Sequence, residues 1–323
     1  TSPRRHKPPG QSTCGTMVTM TDSTDIQALL AQRYGHAASF TPPSWNSTLD
    51  RMVSHRSVRQ WLPRDVDDAT LRTILAAAQS APSSSNKQIV SVIAVRDQST
   101  KERLAAVGRQ MSRHIVDAPV TLVWLIDFSL ARFLADKENQ DATTEGTPPP
   151  IDAGHGVTGR PATDLGALHY MDEPMMAAAD IGIASQNAAL AAASLGLGTV
   201  FLGSLRNDID EVRDALGIPE TVVPFLALEL GYADPAENAG IKPRLPMELF
   251  LHEDRYRNPD DDPAATTELL EYYNGALASY YSRYGAHPRW SDQLLNRLSA
   301  KATEKSKRRF LRDILVRAGF HLS

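Results

Sequence analysis

The stretch from Pro174 to Leu195 constrains this chain more than any other. It is dense in Ala, Gly and Ser, and Ala184, Asn187, Ala188, Ala191 and Ala192 recur at helical spacing. A helix with so little bulk on one side lets another backbone approach closely. Gly196 follows as a natural C′ residue, since glycine accepts the left-handed conformation that ends helices. Thr199–Leu202 then reads as a strand, and Gly203-Ser204-Leu205-Arg206-Asn207 as a turn.

The flanking segments alternate in type without a regular rhythm. Asp67 and Asp68 precede Leu71, Ile74, Leu75 and Ala78, an apolar stripe with acids at the helix start, where they complement the dipole. Pro82 ends that helix and Ser83-Ser84-Ser85-Asn86 forms a polar loop. Gln88–Val95, Pro119–Ile126 and Val222–Gly231 read as strands, with helices at Thr100–Val107 and Asp208–Leu216. The Gly196–Gly198 pair precedes a strand instead of following one, so it is no dinucleotide fingerprint. These features predict an α+β fold, not a doubly wound sheet.

The boundaries follow from composition. Residues 1–44 are expected to be a disordered extension, with a short helix at Asp25–Tyr34 and with Met17 or Met20 available as a start. Residues 45–257 form the main domain, interrupted by an insertion or lid at 136–170 that carries Pro148-Pro149-Pro150. Residues 258–265 read as an acidic linker. The rest, to 323, reads as a helical extension with helices at Thr266–Arg283 and Asp292–Gly319.

Composition removes several function classes. The 323 residues are 42% apolar and 22% charged, close to the globular average, and the net charge of −4 argues against a nucleic-acid binder. One cysteine, Cys14, leaves no internal disulfide framework or cysteine zinc cluster. No run approaches the roughly 18–20 apolar residues a membrane span needs. The cytoplasm is the expected compartment.

Side-chain catalytic constellations are missing. His252-Glu253 meets Tyr256 where a metalloprotease helix needs histidine, and there is neither a P-loop nor a Gly-x-Ser-x-Gly elbow. No metal site is expected. An enzyme without such machinery often borrows its chemistry from a cofactor. Three polar clusters remain. His55-Arg56-Ser57-Val58-Arg59 gathers two guanidiniums, an imidazole and a hydroxyl, suited to a phosphate and a planar anionic ring. Ser83-Ser84-Ser85-Asn86 offers hydroxyls, an amide and backbone N–H groups. Lys242-Pro243-Arg244 adds two cations on a stiff turn.

In order and content these segments resemble the nitroreductase family, in its branch of NADPH-dependent, oxygen-insensitive nitroreductases and FMN reductases. The resemblance rests on HRSVRQW (55–61), APSSSNKQ (81–88), QNAALAAASLGLGTVFLGSLRN (186–207) and KPRLPMELFLHEDRY (242–256), with WSDQLL (290–295) beyond them. It implies an intertwined homodimer with a central, mostly antiparallel sheet flanked by helices, binding FMN at the interface.

By that resemblance His55, Arg56 and Ser57 hold the phosphate and ribityl end, and Lys242 and Arg244 reach the phosphate. Arg59 lies near the flavin N1–C2=O edge. Ser83, Ser84, Ser85 and Asn86 line the cofactor from the partner subunit, and Gln110 bonds the pyrimidine ring. Leu202, Gly203 and Ser204 bring a backbone N–H to flavin N5. Ser204 stands where relatives often carry a second glycine, and Asn86 is closer to the smaller branch of the family. Arg283 and Arg289 are candidates for the NADPH 2′-phosphate.

The implied reaction takes two electrons from NADPH, NADH being the alternative donor, and passes them by ping-pong hydride transfer to nitroaromatics, quinones or free flavin. The flavin carries the chemistry, with Arg59 as electrostatic support. Two other roles stay open. One is a flavin reductase supplying a flavin-dependent monooxygenase. The other is a non-catalytic protein that binds or stores flavin.

Overall fold

The computed structural model describes residues 23–35, 40–108, 113–142, 163–304 and 306–322. Its helices are α1 (Ser23–Tyr34), α2 (Ser47–Val53), α3 (Asp68–Gln79), α4 (Gln98–Gly108), α5 (His114–Asp117), α6 (Ser129–Ala142), α7 (Asp172–Ser194), α8 (Ile209–Leu216), α9 (Pro263–Ser282), α10 (Trp290–Leu298), α11 (Ala300–Glu304) and α12 (Leu311–Arg317). Strands β1 (Val90–Val95), β2 (Val120–Ile126), β3 (Gly198–Leu202) and β4 (Val223–Gly231) form one sheet, in the order β1-β2-β4-β3. Each neighbouring pair is antiparallel. The class is α+β, as the irregular order of elements predicts.

β2 is buried from end to end, and its side chains alternate between two cores. Leu122, Trp124 and Ile126 cluster with Ile74 of α3 and Ile181 and Ala188 of α7. Val123 and Leu125 cluster with Leu104 of α4 and Val212 of α8. Cover on both faces explains why this strand reads as a continuous apolar run and not as an alternating one. α7 buries Ala177, Ile181, Ser185, Ala188 and Ala192, so its small-residue stripe is the face that lies on the sheet and α3.

The segment 55–61 closes over the N-terminal end of β3. Ser57 bridges Thr199, the Val58 N–H donates to the Thr199 carbonyl at 3.0 Å, and Trp61 bridges Ala233. Gly198 permits this crossing, because a Cβ there would stand 2.6 Å from a Val58 methyl.

Three boundaries differ from the sequence expectation. Residues 23–34 form α1, the short helix expected at Asp25–Tyr34, but it packs on the fold instead of standing in a disordered extension: it buries Leu30 and Arg33 because Ile26, Leu29, Leu30 and Arg33 share one helical face. Residues 136–142 of the expected insertion complete α6, where Lys137 and Asp141 pair at i,i+4, and 166–169 form a 3-10 turn before α7. Residues 143–162 lie outside the described part. The single terminal helix expected over Asp292–Gly319 is divided into α10, α11, a 3-10 turn at Lys307–Phe310 and α12. Its end belongs to the main core: Phe320 is fully buried and meets Phe128 edge-on at 5.4 Å. Burial of one such ring contributes about 1.5–3 kcal/mol.

Candidate functional site

A cavity of about 170 Å³ opens where segment 55–59 meets the 239–244 loop and α9. His55, Arg56, Ser57, Arg59, Lys242 and Arg244 all line it, together with Arg33, Ala239, Gly240, Tyr280 and Tyr284. Two clusters separated by about 180 residues of chain thus share one wall. Among the described residues no carboxylate lines the cavity and no ion pair neutralises its arginines or its lysine.

Backbone contacts hold the cations in place. The Arg56 guanidinium donates to the Ala239 carbonyl at 3.0 Å. Lys242 Nζ meets the Tyr281 hydroxyl at 3.0 Å and lies 5.2 Å from the centre of that ring. Tyr273, Tyr280 and Tyr284 donate their hydroxyls to the carbonyls of Pro243, Gly240 and Asn238. α9 thereby braces the loop that presents Lys242 and Arg244. The Arg59 N–H donates to Glu237 Oε1 at 2.9 Å, just outside the cavity.

Arg33 is the member that sequence reasoning missed. It is 6% exposed and donates to the carbonyls of Val53, His55 and Lys242, while the Arg244 N–H returns a bond to its own carbonyl at 2.8 Å. Burial, and then the neighbouring Arg244, lowers its pKa to about 10. Burial also lowers the pKa of His55, with Arg33 and Arg244 adding to the effect, so the neutral imidazole is favoured. The signal was present in α1: an arginine continuing an apolar stripe has to find buried acceptors.

The serine loop lies elsewhere in the chain. Asp180 of α7, 3% exposed, accepts from the Ser84 N–H at 3.0 Å, the Ser84 hydroxyl at 2.8 Å and the Ser83 hydroxyl at 3.2 Å. Ser83 Oγ in turn accepts from the Gln88 N–H at 2.8 Å. Ser85 and Asn86 are exposed and adopt the left-handed conformation, with φ of 50° and 54°. Ser83 lines a second, largely apolar cavity of about 480 Å³ with Trp124, Leu130, Asp180 and Ala184, and the two cavities share no residue.

At the far end of β3, Leu202 is buried and Gly203 and Ser204 enter a 3-10 turn. The turn is packed by cations. Arg308 donates to the Gly203 carbonyl at 2.7 Å, and the Arg206 guanidinium would stand 3.0 Å from a Cβ on Gly203. Arg206 and Arg308 have no carboxylate partner among the described residues. Burial lowers the pKa of both, and Arg308 lowers that of Arg206 further. The sequence reading passed over this pair because 102 positions separate its members.

Arg283 and Arg289 have different fates. Arg283 stacks 4.7 Å from the Tyr280 ring and its guanidinium covers Gly240, at the rim of the cation cavity. Arg289 is held by Glu271 in a two-pronged ion pair and takes no part in the cavity. Gln110 lies outside the described residues.

The donor set tests what this cavity can hold. Cations that repel one another, a depressed arginine and a depressed histidine are all relieved by an anion. Guanidinium forks, an ammonium and a hydroxyl suit a phosphate group. Among the described residues no group of three His, Cys, Asp or Glu side chains is arranged to hold a metal ion, and no helix is long and apolar enough to cross a membrane.

A family model described as "Nitroreductase family" matches residues 52–123 and 165–232, and one described as its C-terminal domain matches 242–323. The chain is 32% identical over 277 residues to the oxygen-insensitive NADPH nitroreductase of Salmonella typhimurium, covering 84% of this chain and 98% of that one. It is 28% identical to an FMN reductase (NADPH) of Bacillus subtilis, covering 85% and 99%. The structure of NADPH:FMN oxidoreductase from Vibrio harveyi, complexed with NAD+, superposes with a TM-score of 0.64 at 28% identity, covering 85% of this chain and 98% of that one.

Proposed function

The chain belongs to the nitroreductase family and is an NAD(P)H-dependent flavin oxidoreductase; on that premise we propose that it holds FMN along β3, with the phosphate in the Arg33–Arg244 cavity. The carrying observation is that cavity itself, in which four arginines, a lysine and a histidine converge without a carboxylate. Four residue steps at ~3.3 Å each separate Thr199, beside Ser57, from Gly203, a span of about 13 Å that suits an extended mononucleotide.

Bound FMN would supply two-electron redox chemistry, accepting hydride from NADPH and reducing a nitroaromatic, a quinone or free flavin. The protein's own residues bind and bias. Arg56, Lys242 and Arg244 neutralise the phosphate, and His55 and Ser57 hydrogen-bond to it. Arg59 is a cation on the cavity wall that favours negative charge on the ring system, an effect strongest where water is excluded. Arg206 and Arg308 place two further cations beside the Gly203 turn, suited to an incoming dinucleotide phosphate.

A homodimer completes this reading. Ser83–Asn86 and the cation cavity are apart in one protomer, and a second copy can bring them together. Exposed apolar side chains on α6 and α7 support such an interface: Leu130 is 72% exposed, Phe133 64% and Met175 62%.

The test is binding followed by turnover. Purified protein should bind FMN one to one, and the yellow complex should oxidise NADPH with menadione or nitrofurazone as acceptor. Arg244→Ala should lose FMN on gel filtration. Wild-type protein that stays colourless in excess FMN would overturn the proposal. FMN binding without NADPH oxidation would leave a flavin-binding protein instead.

A further inference from the structure

β4 carries an ionisable residue that the site above does not use. Glu229 is fully buried among apolar neighbours, on the face of the sheet that also presents Thr121 of β2 and Val200 of β3, its directly paired residues. Its two carboxylate oxygens lie 2.9 and 2.8 Å from His114 Nδ1 of α5. The His114 side chain is itself only 10% exposed. A carboxylate only accepts, so Nδ1 carries the proton between them. The remaining charge that acts on Glu229 is Arg59, the cavity cation, which favours its ionised form; desolvation is the larger influence and favours the neutral acid. Lys101 of α4 is turned away to the carbonyls of Val116 and Ala118. Glu237 binds the Arg59 backbone. Among the described residues the charged group outside the pair that acts on Glu229 is therefore Arg59.

A buried carboxylate needs a compensating charge. With a second proton, on Nε2 or on the carboxylate, in addition to the one on Nδ1, the His114–Glu229 pair is neutral overall. Without that proton it is an anion beside Arg59, and offsets part of the positive charge that Arg59 offers a ligand. We propose that His114 and Glu229 are a positioning pair that couples proton uptake to reduction of the bound flavin. The pair takes a proton from solvent when negative charge is added next to Arg59, and returns it when that charge leaves. This rests on the FMN reading above and adds to it a named proton site. The flavin's two electrons come from the nicotinamide donor, and the pair contributes only the proton.

The experiment is a potentiometric titration of FMN bound to the full-length protein between pH 6 and 9, in wild type, Glu229→Gln and His114→Asn, with bound FMN quantified by absorbance in each sample. Glu229→Gln keeps the shape of the side chain and removes the charge. At the alkaline end it should raise the reduced-to-oxidised ratio at fixed poise about tenfold, equivalent to ~30 mV for a two-electron couple. The variant and wild type should converge at the acid end, so that the wild type shows the steeper dependence on pH. His114→Asn should flatten the same dependence, and serves if Glu229→Gln does not fold. Parallel curves in variant and wild type, with FMN bound in both, would overturn the proton pair and leave the FMN reading intact. Failure of wild-type protein to bind FMN would take both down.

Discussion

Arg33 Nη1 donates to the Lys242 carbonyl at 2.7 Å, across 209 residues of sequence. The same guanidinium reaches Val53 and His55, so one buried side chain ties α1 to both walls of the cation cavity. Arg33 thus holds the frame on which Arg56, Arg59, Lys242 and Arg244 stand, and contributes its own charge to the cavity.

Arg33→Ala would leave three partly buried carbonyls without their donor. The expected cost is roughly 2–4 kcal/mol of stability, given the penalty for stranding buried acceptors. FMN affinity should fall more than tenfold, because both walls lose their register. Thermal melts and equilibrium dialysis check the two effects separately. An unchanged dissociation constant would show that the walls register without α1.

His55 supplies a pH signature. Burial, Arg33 and Arg244 lower its pKa below the usual histidine value of 6.5 in the folded protein. As pH falls below about 6.5 the unfolded chain takes a proton that the apo fold resists, so apo stability contributed by this residue is present above 6.5 and declines with acid. A phosphate in the cavity opposes the two arginines and restores proton affinity. FMN should therefore bind with proton uptake near pH 6, and more tightly there than at pH 8. Calorimetry in buffers of different ionisation enthalpy measures the uptake, and His55→Asn should abolish it.

Asp180→Ala should release the serine loop from α7. Ser84 loses acceptors for its N–H and hydroxyl, and Ser83 loses one for its hydroxyl. The left-handed residues Ser85 and Asn86 then have less to hold them. A loss of about 1–3 kcal/mol is expected, with hydrogen exchange at the Ser84 amide rising to that of an open loop. Protection unchanged from wild type would place the loop's anchor elsewhere.

The basic residues near the donor site separate by their partners. Arg289 is an exposed residue paired with Glu271, so Arg289→Ala should leave both the KM for NADPH and the thermal midpoint close to wild type. Among the described residues Arg308 has no carboxylate partner, and it holds the Gly203 carbonyl. Arg308→Ala should raise the KM for NADPH at least fivefold, more than it lowers kcat. Steady-state kinetics with a fixed acceptor distinguishes the two, and equal effects would remove Arg308 from the donor site.

Much of the architecture was legible from local pattern. The stripe Leu71, Ile74, Ala78 and the apolar run Val120–Ile126 are short-range signals, and they became α3 and β2 because burial follows periodicity. The clusters at 55–59 and 242–244 were legible for a similar reason: cations placed a few residues apart on stiff segments state their chemistry wherever the fold puts them.

Other features were set by packing between distant segments. Arg33 looked like the end of a marginal surface helix until tertiary contacts buried it. Glu229 interrupts an apolar strand, a visible anomaly, but only folding puts His114 beneath it. Phe320 enters the main core although it ends a basic, apparently solvated helix. The Ser83–Asn86 loop and the arginine cluster both read as ligand signals in the sequence, and within one chain the cavities they line share no residue. Periodicity reports which face of an element seeks cover, whereas which buried donor meets which acceptor depends on chain closures over a hundred residues or more, and those exist only in the packed molecule.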